Sequence, residues 1–512
     1  MRPLALACLS LVLLGACKPS DAPGWAKRAA SEGHAEEALE ALAQVRAAPG
    51  DKQGAVPYLV DILKDGKVTK VRGEAAALLG EIGGPQAVAG LVAALHPGAG
   101  RREEHELNRK VAGALGDLRA REAVPGLLQL TSSPDAYTQV AAVDALGRIG
   151  DPAAVDTLVG IATSTAVEPL TAQHALLALG QIGDPRAAPV VLKMLFAERP
   201  GVSFFPQAAF AAAEIGRPMA APLLAVLQGK DATVAAWAQE NKILPSALYA
   251  KSAKVLGQVG GDEVVPALVE RLAYTDQNPD YALVVRTWSA ESLGLLRAKD
   301  SVKKLSELVE REQDPDARDC YADALARIGD PAALPALRAA AGTGSWELRR
   351  GPLAAISRLG GAAEKPVIQA AVAACGQACP KAQADALAGM MARLDAAAAC
   401  QDLRCWTGKL SDPSAEVRDR AALEVGRTGG APEVRAIADA VLHPVVTEAD
   451  RDARYHAVLA LGWVAARAPL GAAGPEIANQ LDRLIAAERG RRLTEVVNEE
   501  ALRLSFRLRR AK

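Results

Sequence analysis

Aromatic residues are scarce in this chain, at 4% of 512 residues, and charge of one sign is not in excess. The 59 Lys and Arg face 60 Asp and Glu, a net charge of −1. That balance argues against nucleic acid as a partner, since a protein that binds it usually carries a strong basic excess. Beyond the first residues no stretch reaches about 18 uninterrupted apolar residues, so no later segment reads as a spanning helix. The phosphate loop G-x-x-x-x-G-K-[ST], the nucleophile elbow G-x-S-x-G and the zinc motif H-E-x-x-H are all missing. The expectation is a non-enzyme with no catalytic residue, no cofactor and no metal. The 44 Gly and 31 Pro follow no three-residue period, which excludes collagen. What is abundant is apolar: 50% of the residues, enough to bury a large core and to exclude a mainly disordered chain.

The chain begins Met1-Arg2-Pro3 and continues through an apolar run into Leu14-Gly15-Ala16-Cys17. A basic start, a short apolar stretch and small residues before a cleavage point make a secretory signal. The small residues directly before Cys17 resemble the lipobox of bacterial lipoproteins. That resemblance implies that residues 1–16 are removed, that Cys17 carries the acyl chains, and that the lipid anchor is the chain's one attachment to a membrane. It also implies, from Lys18 and the lack of Asp there, a periplasm-facing outer-membrane lipoprotein, with the inner membrane or the cell surface as alternatives. Five further Cys remain after Cys8 and Cys17. An oxidising compartment favours pairing of Cys375, Cys379, Cys400 and Cys405. Four Cys allow three connectivities, and the local pairs Cys375–Cys379 and Cys400–Cys405 are preferred. Zinc is the alternative, although the spacings C-x3-C and C-x4-C are off the common knuckle and no His lies nearby.

The dominant feature is repetition. Val143-Asp-Ala-Leu-Gly-Arg-Ile-Gly150-Asp-Pro152 returns as Ala175-Leu-Leu-Ala-Leu-Gly-Gln-Ile-Gly183-Asp-Pro185 and Ala322-Asp-Ala-Leu-Ala-Arg-Ile-Gly329-Asp-Pro331. Gly150, Gly183 and Gly216 are spaced evenly by 33 residues, and about twelve copies run from Pro57 to Ile485, the tenth and twelfth poorly framed. Each copy reads as two helices, A and B. Gly can close a helix in the left-handed conformation, Asp caps the next, and Pro fits its first turn. Strand patterns are absent, so the fold class is all-α.

The Asp-Pro opening, the Val71-Arg72 and Val417-Arg418 starts of helix B and the Ala-Ala-x-Ala-Leu-Gly run resemble HEAT repeats, particularly the short phycobilisome lyase HEAT-like type. The resemblance implies an α-solenoid superhelix of about twelve helix pairs over residues 55–485, with the B helices on the concave face. Residues 17–54 would hold the lipidated N-terminus and a capping helix from Trp25 to Val45. Residues 486–512 would hold a C-terminal capping helix, with Leu493, Val497, Ala501, Leu504 and Leu508 on its apolar face, and a basic tail. The expected function is a monomeric protein-binding scaffold or assembly factor of the cell envelope that takes another envelope protein on its concave face. Relatives with this architecture include bilin lyases and the iron-dependent deoxyhypusine hydroxylase, whose several His-Glu dipeptides have one counterpart here, His105-Glu106, in an expected polar loop.

Stacking turns a position in the motif into a column. The residue seven after the Arg72 register is apolar throughout, from Leu79 and Leu115 to Met391, Val425 and Leu461, and reads as core. Two positions further on, Arg327, Arg358, Arg393 and Arg427 occupy four successive copies, with Arg420 on the same face as Arg427. Two readings are open. They form a basic ridge for an acidic protein segment or an anionic envelope glycan or lipid, or each Arg answers the dipole at the end of its own helix. Three aromatic signals stand beside them: Phe196, Phe204, Phe205 and Phe210 at an irregular junction; Trp237 in an expected extended loop over residues 228–247; and Trp288 in a usually polar column of a B helix. His174 and His456 read as surface imidazoles.

Overall fold

Gly150 and Gly329 end their helices with φ of 73° and 78°, left-handed values that a Cβ disfavours. The next residue restarts the chain. Asp151, Asp184 and Asp330 each accept the amide hydrogen bond two residues on, at 2.9 Å. The Pro that follows opens a single 3-10 turn, as in Pro152–Ala154 and Pro331–Ala333, and helix A grows directly from it as Val155–Thr163 or Leu334–Ala341. Polar turns then lead into helix B, capped for example by Asp135 accepting from Thr138 N at 2.9 Å.

The computed structural model describes residues 19–98, 100–468 and 470–510, so the signal segment 1–16 and the lipidation residue Cys17 lie outside the described residues. The chain is an all-α solenoid of HEAT-like helix pairs, and B helices of successive copies lie against one another. The apolar column is its core. Leu79, Leu115, Leu146, Leu179, Leu256, Leu293, Leu325, Ile356, Val425 and Leu461 are all 0% exposed. Met391 departs from this: it is half-buried, and Met390 takes the core position. The helix there, Lys381–Ala399, is longer than most of its counterparts and shifts the frame by one residue.

The chain groups into two compact units divided between Ala178 and Leu179, inside the Pro169–Ile182 helix, where the repeat pattern alone implies one array. The first unit starts with two helices, Ala22–Ser31 and Ala35–Ala47, where a single capping helix was expected. Its B helices include Thr69–Ile82, Arg102–Asp117 and Ala136–Ile149. His105-Glu106 sits within the second of these and His105 is buried, so the expected polar loop is helix.

The second unit carries two irregularities. A two-stranded antiparallel hairpin, Glu198–Arg199 with Val202–Ser203, occupies the aromatic junction and is the one exception among the described residues to an all-helical chain. The expected loop over 228–247 instead contains a further helix, Ala232–Glu240, whose cap Asp231 accepts from Val234 N at 2.9 Å. The cap and the Ala-rich stretch after it suffice for a helix. At the end of this unit Val497, Ala501, Leu504 and Leu508, on the Glu495–Arg510 helix, are 0–2% exposed within a core shared with Val425, Leu461 and Trp406.

Candidate functional site

The three aromatic signals converge in the second unit. Phe196, Trp237, Tyr281 and Trp288 line one groove of about 450 Å3 between the hairpin, the inserted Ala232–Glu240 helix and the B helices Pro245–Val259 and Pro279–Leu295. The size suits a specific site, and so does the lining, mostly apolar with a few polar groups. Phe205 stacks on Trp288 with ring centroids 5.7 Å apart, which fixes the indole as one wall. Ammonium groups cover the aromatic faces: Lys193 lies 5.1 Å from the Trp237 ring, Lys251 5.5 Å from Phe205 and Lys254 5.7 Å from Trp288. Lys251 also meets Glu198 at 3.1 Å, and Lys254 meets Glu291 at 2.5 Å. Of the nine large apolar side chains that stand exposed among the described residues, three, Leu244, Tyr281 and Val284, are on this groove. Such clustering marks interaction surfaces, whereas single exposed apolar residues do not. Trp288 is legible in the sequence; Leu244, Tyr281 and Val284 are not, because the inserted helix that completes the groove breaks the repeat pattern.

The arginines are not a ridge. Arg393 and Arg420 are 7% and 4% exposed, and Arg327, Arg358 and Arg427 are nearly as deeply buried. The reason is that B helices several copies apart come into hydrogen-bonding reach within the second unit. Arg427 donates to Ala326 O at 2.6 Å, and Arg420 donates to Ser357 O at 2.8 Å and Gly360 O at 3.1 Å. The last carbonyls of a helix have no partner within it, and a buried one needs a donor. A guanidinium supplies five. Arg420 and Arg427 therefore cap the ends of distant helices rather than answering only the dipole of their own. Trp463 Nε1 does the same to Leu295 O at 3.1 Å.

Asp419 is the hub of this interior. It is fully buried, accepts from Arg358 Nε and Arg393 Nε at 2.9 Å each, and lies against His456 Nδ1. Burial would raise its carboxyl, but Arg358 and Arg393, with His456, outweigh it and hold the group well below the usual carboxylate range. Arg327 pairs with Asp323 at 2.5 Å and lies 5.3 Å from the Tyr455 ring. Burial pushes Arg420 down to about 10 against the pull of Glu424, its partner at 2.6 Å. A partner outside the chain cannot reach these groups, so the anionic glycan or lipid reading loses its site. The concave surface expected to receive a protein is, along these helices, occupied by the chain's own side chains. His456 is likewise buried rather than a surface imidazole, while His174 is half-buried and meets Asp144 at 2.6 Å. In the first unit the same register stays at the surface, where Arg148 pairs with Asp117 at 2.5 Å.

Cys375 is joined to Cys379 and Cys400 to Cys405, which removes the four thiolates that the zinc alternative needs. Cys320 is a free thiol, pushed up to about 12 by burial, and its Sγ donates to Thr287 O at 3.3 Å.

The family described as HEAT repeats matches residues 98–171 and 278–357, and the PBS lyase HEAT-like repeat matches residues 71–96 and 173–196. No curated protein matches the chain. Among solved structures, human deoxyhypusine hydroxylase in complex with glycerol is 23% identical with a TM-score of 0.22, over 59% of this chain and 94% of that one. Kap121p bound to Nup53p is 10% identical with a TM-score of 0.49, over 94% of this chain and 52% of that one. The complex of CpcE and CpcF of phycocyanin lyase from Nostoc sp. PCC7120 is 23% identical with a TM-score of 0.26, over 56% of this chain and 92% of that one. The chain thus carries HEAT repeats, in part of the PBS lyase HEAT-like kind, on an all-α solenoid.

Proposed function

We propose that the protein is a non-enzymatic scaffold or assembly factor of the bacterial envelope, held to a membrane by acyl chains on Cys17 and binding another envelope protein. The observation that carries the binding reading is the aromatic groove, where rigid ring walls and exposed apolar side chains collect on one surface. Hot spots of protein interfaces are built from such anchors. The interior arginines serve a different purpose, since they are buried and bind the chain's own carbonyls and carboxylates. The envelope reading rests on the secretory start and on Leu14-Gly15-Ala16-Cys17, and acylation there would give stable anchoring that one chain alone does not.

Photo-cross-linking residues placed singly at Leu244 in the groove and at Tyr137, Val446 and Val496 elsewhere, in living cells, test the scaffold reading. A discrete adduct with one envelope protein from at least one position is the expected result. No protein adduct from any position contradicts it. Radiolabelled palmitate incorporated by the wild type and lost in Cys17→Ser tests the anchor. Stoichiometric iron or zinc in the purified protein would overturn the non-enzymatic reading.

A further inference from the structure

The groove has a wet rim and a cationic edge, and together these define what fills it. Leu244, Tyr281 and Val284 are 48%, 43% and 40% exposed around a cavity of about 450 Å3. A compact ligand that filled the cavity would cover only the faces of those three side chains that line it and leave their outer faces in water. A polypeptide segment laid along the groove covers rim and cavity together, and it buries apolar area from both partners. The charges on the walls are unequal. Glu198 is satisfied by Lys251, but the ammonium of Lys242, exposed just past the inserted helix, has neither a hydrogen bond nor an ion pair among the described residues. The remaining cations, Lys193 and Lys254, lie over the indole faces of Trp237 and Trp288. Apolar walls ask for apolar side chains, and an uncompensated ammonium beside them asks for a carboxylate.

From the groove's shape and charge we infer that it docks a short segment of a partner protein bearing two large apolar side chains next to an Asp or Glu. The apolar pair enters between Trp237 and Trp288, and the carboxylate meets Lys242. The inference rests on the scaffold reading and narrows it to one surface and one partner chemistry. Trp288 contributes a wall already fixed by Phe205, so little side-chain freedom is lost on binding, which favours affinity.

The probe is a phage-displayed library of random dodecapeptides selected on the full chain, followed by fluorescence anisotropy of the synthesised consensus peptide. The consensus should contain two large apolar residues flanked by an acid. Its affinity should fall about tenfold or more in Leu244→Asp and in Lys242→Glu, both exposed positions that leave the core untouched. A peptide with the acid changed to Lys should recover affinity for Lys242→Glu, an exchange that a general loss of stability would not produce. Selected peptides that bind both variants as well as wild type overturn the inference, as does a consensus lacking an acid. Displacement of the bound peptide by oleate at equal concentration, with oleate binding abolished in Leu244→Asp, would make the natural occupant a lipid chain and overturn it too. If the groove fails while cross-links from other faces persist, this inference alone falls. If every face is silent, the scaffold reading falls with it.

Discussion

Asp419 shows how much can depend on one side chain. Two guanidiniums and an imidazole converge on its carboxylate, away from water, so removing its charge takes from buried Arg393 its ion-pair partner and leaves Arg358 only the longer contacts to Asp323 at 3.4 Å and Asp452 at 3.8 Å. Loss of one partner from such a site costs about 3–5 kcal/mol, whereas an exposed pair contributes less than about 1 kcal/mol. Asp419→Asn should therefore lower unfolding stability in urea by several kcal/mol. Arg435→Ala, which breaks the exposed pair with Glu476 at 3.1 Å, should lie within error of wild type. The pH dependence follows from the sign of the shift. A carboxyl depressed in the folded state contributes fully above its unfolded value of about 3.9 and loses that contribution as pH falls below it. The gap between wild type and Asp419→Asn should thus be full at pH 7 and close progressively below about pH 4. A gap that does not change with pH would contradict the ionic account. The position of Asp419 in the sequence, directly after Val417-Arg418, gave no warning. An Asp in a helix reads as solvated unless something shows that other helices cover it, and that cover comes from Arg393 and His456 on the neighbouring B helices and from Arg358 two copies away.

At the scale of the helix most of the architecture was legible, because its causes are local. The Gly-Asp-Pro signal acts through backbone conformation, a side-chain cap and a missing amide, none of which needs a neighbour. The apolar column was equally readable, apart from the one-residue slip at Met391. The Leu-Gly step carried more than was read from it. A Cβ placed on Gly257 would lie 2.8 Å from Ser292 Cα on the next B helix, and one on Gly294 would lie 3.0 Å from Ala324 Cα. These glycines set how closely B helices approach, which the abundance of Ala only suggested. Gly257→Leu forces backbone apart and should cost about 1–3 kcal/mol in thermal or urea unfolding. Gly361→Leu, where a Cβ would meet nothing within 4 Å, should cost far less. Equal destabilisation by the two would mean that close approach is not what the Gly column provides. The inserted Ala232–Glu240 helix is not legible for the opposite reason: it breaks the period and leaves only a gap in it.

For the whole molecule, repeats that stack on their neighbours explain the first unit, and the second adds something that the periodicity does not encode. Its B helices meet again after several copies, through Arg427 and Ala326, Arg420 and Ser357, and Trp463 and Leu295. A column of Arg in the sequence looks the same whether it faces solvent or the far side of its own coil; only the curvature distinguishes them. That curvature fills the inner face of the second unit with the chain's own side chains, and leaves the aromatic groove open. The direct measurement is arginine modification of the native protein by phenylglyoxal, resolved by mass spectrometry. Arg358, Arg393, Arg420 and Arg427 should resist modification until the chain is unfolded, while Arg435 and Arg186 react readily. Modification of those four at the rate of Arg435 would mean that the inner face is open, and would contradict the account.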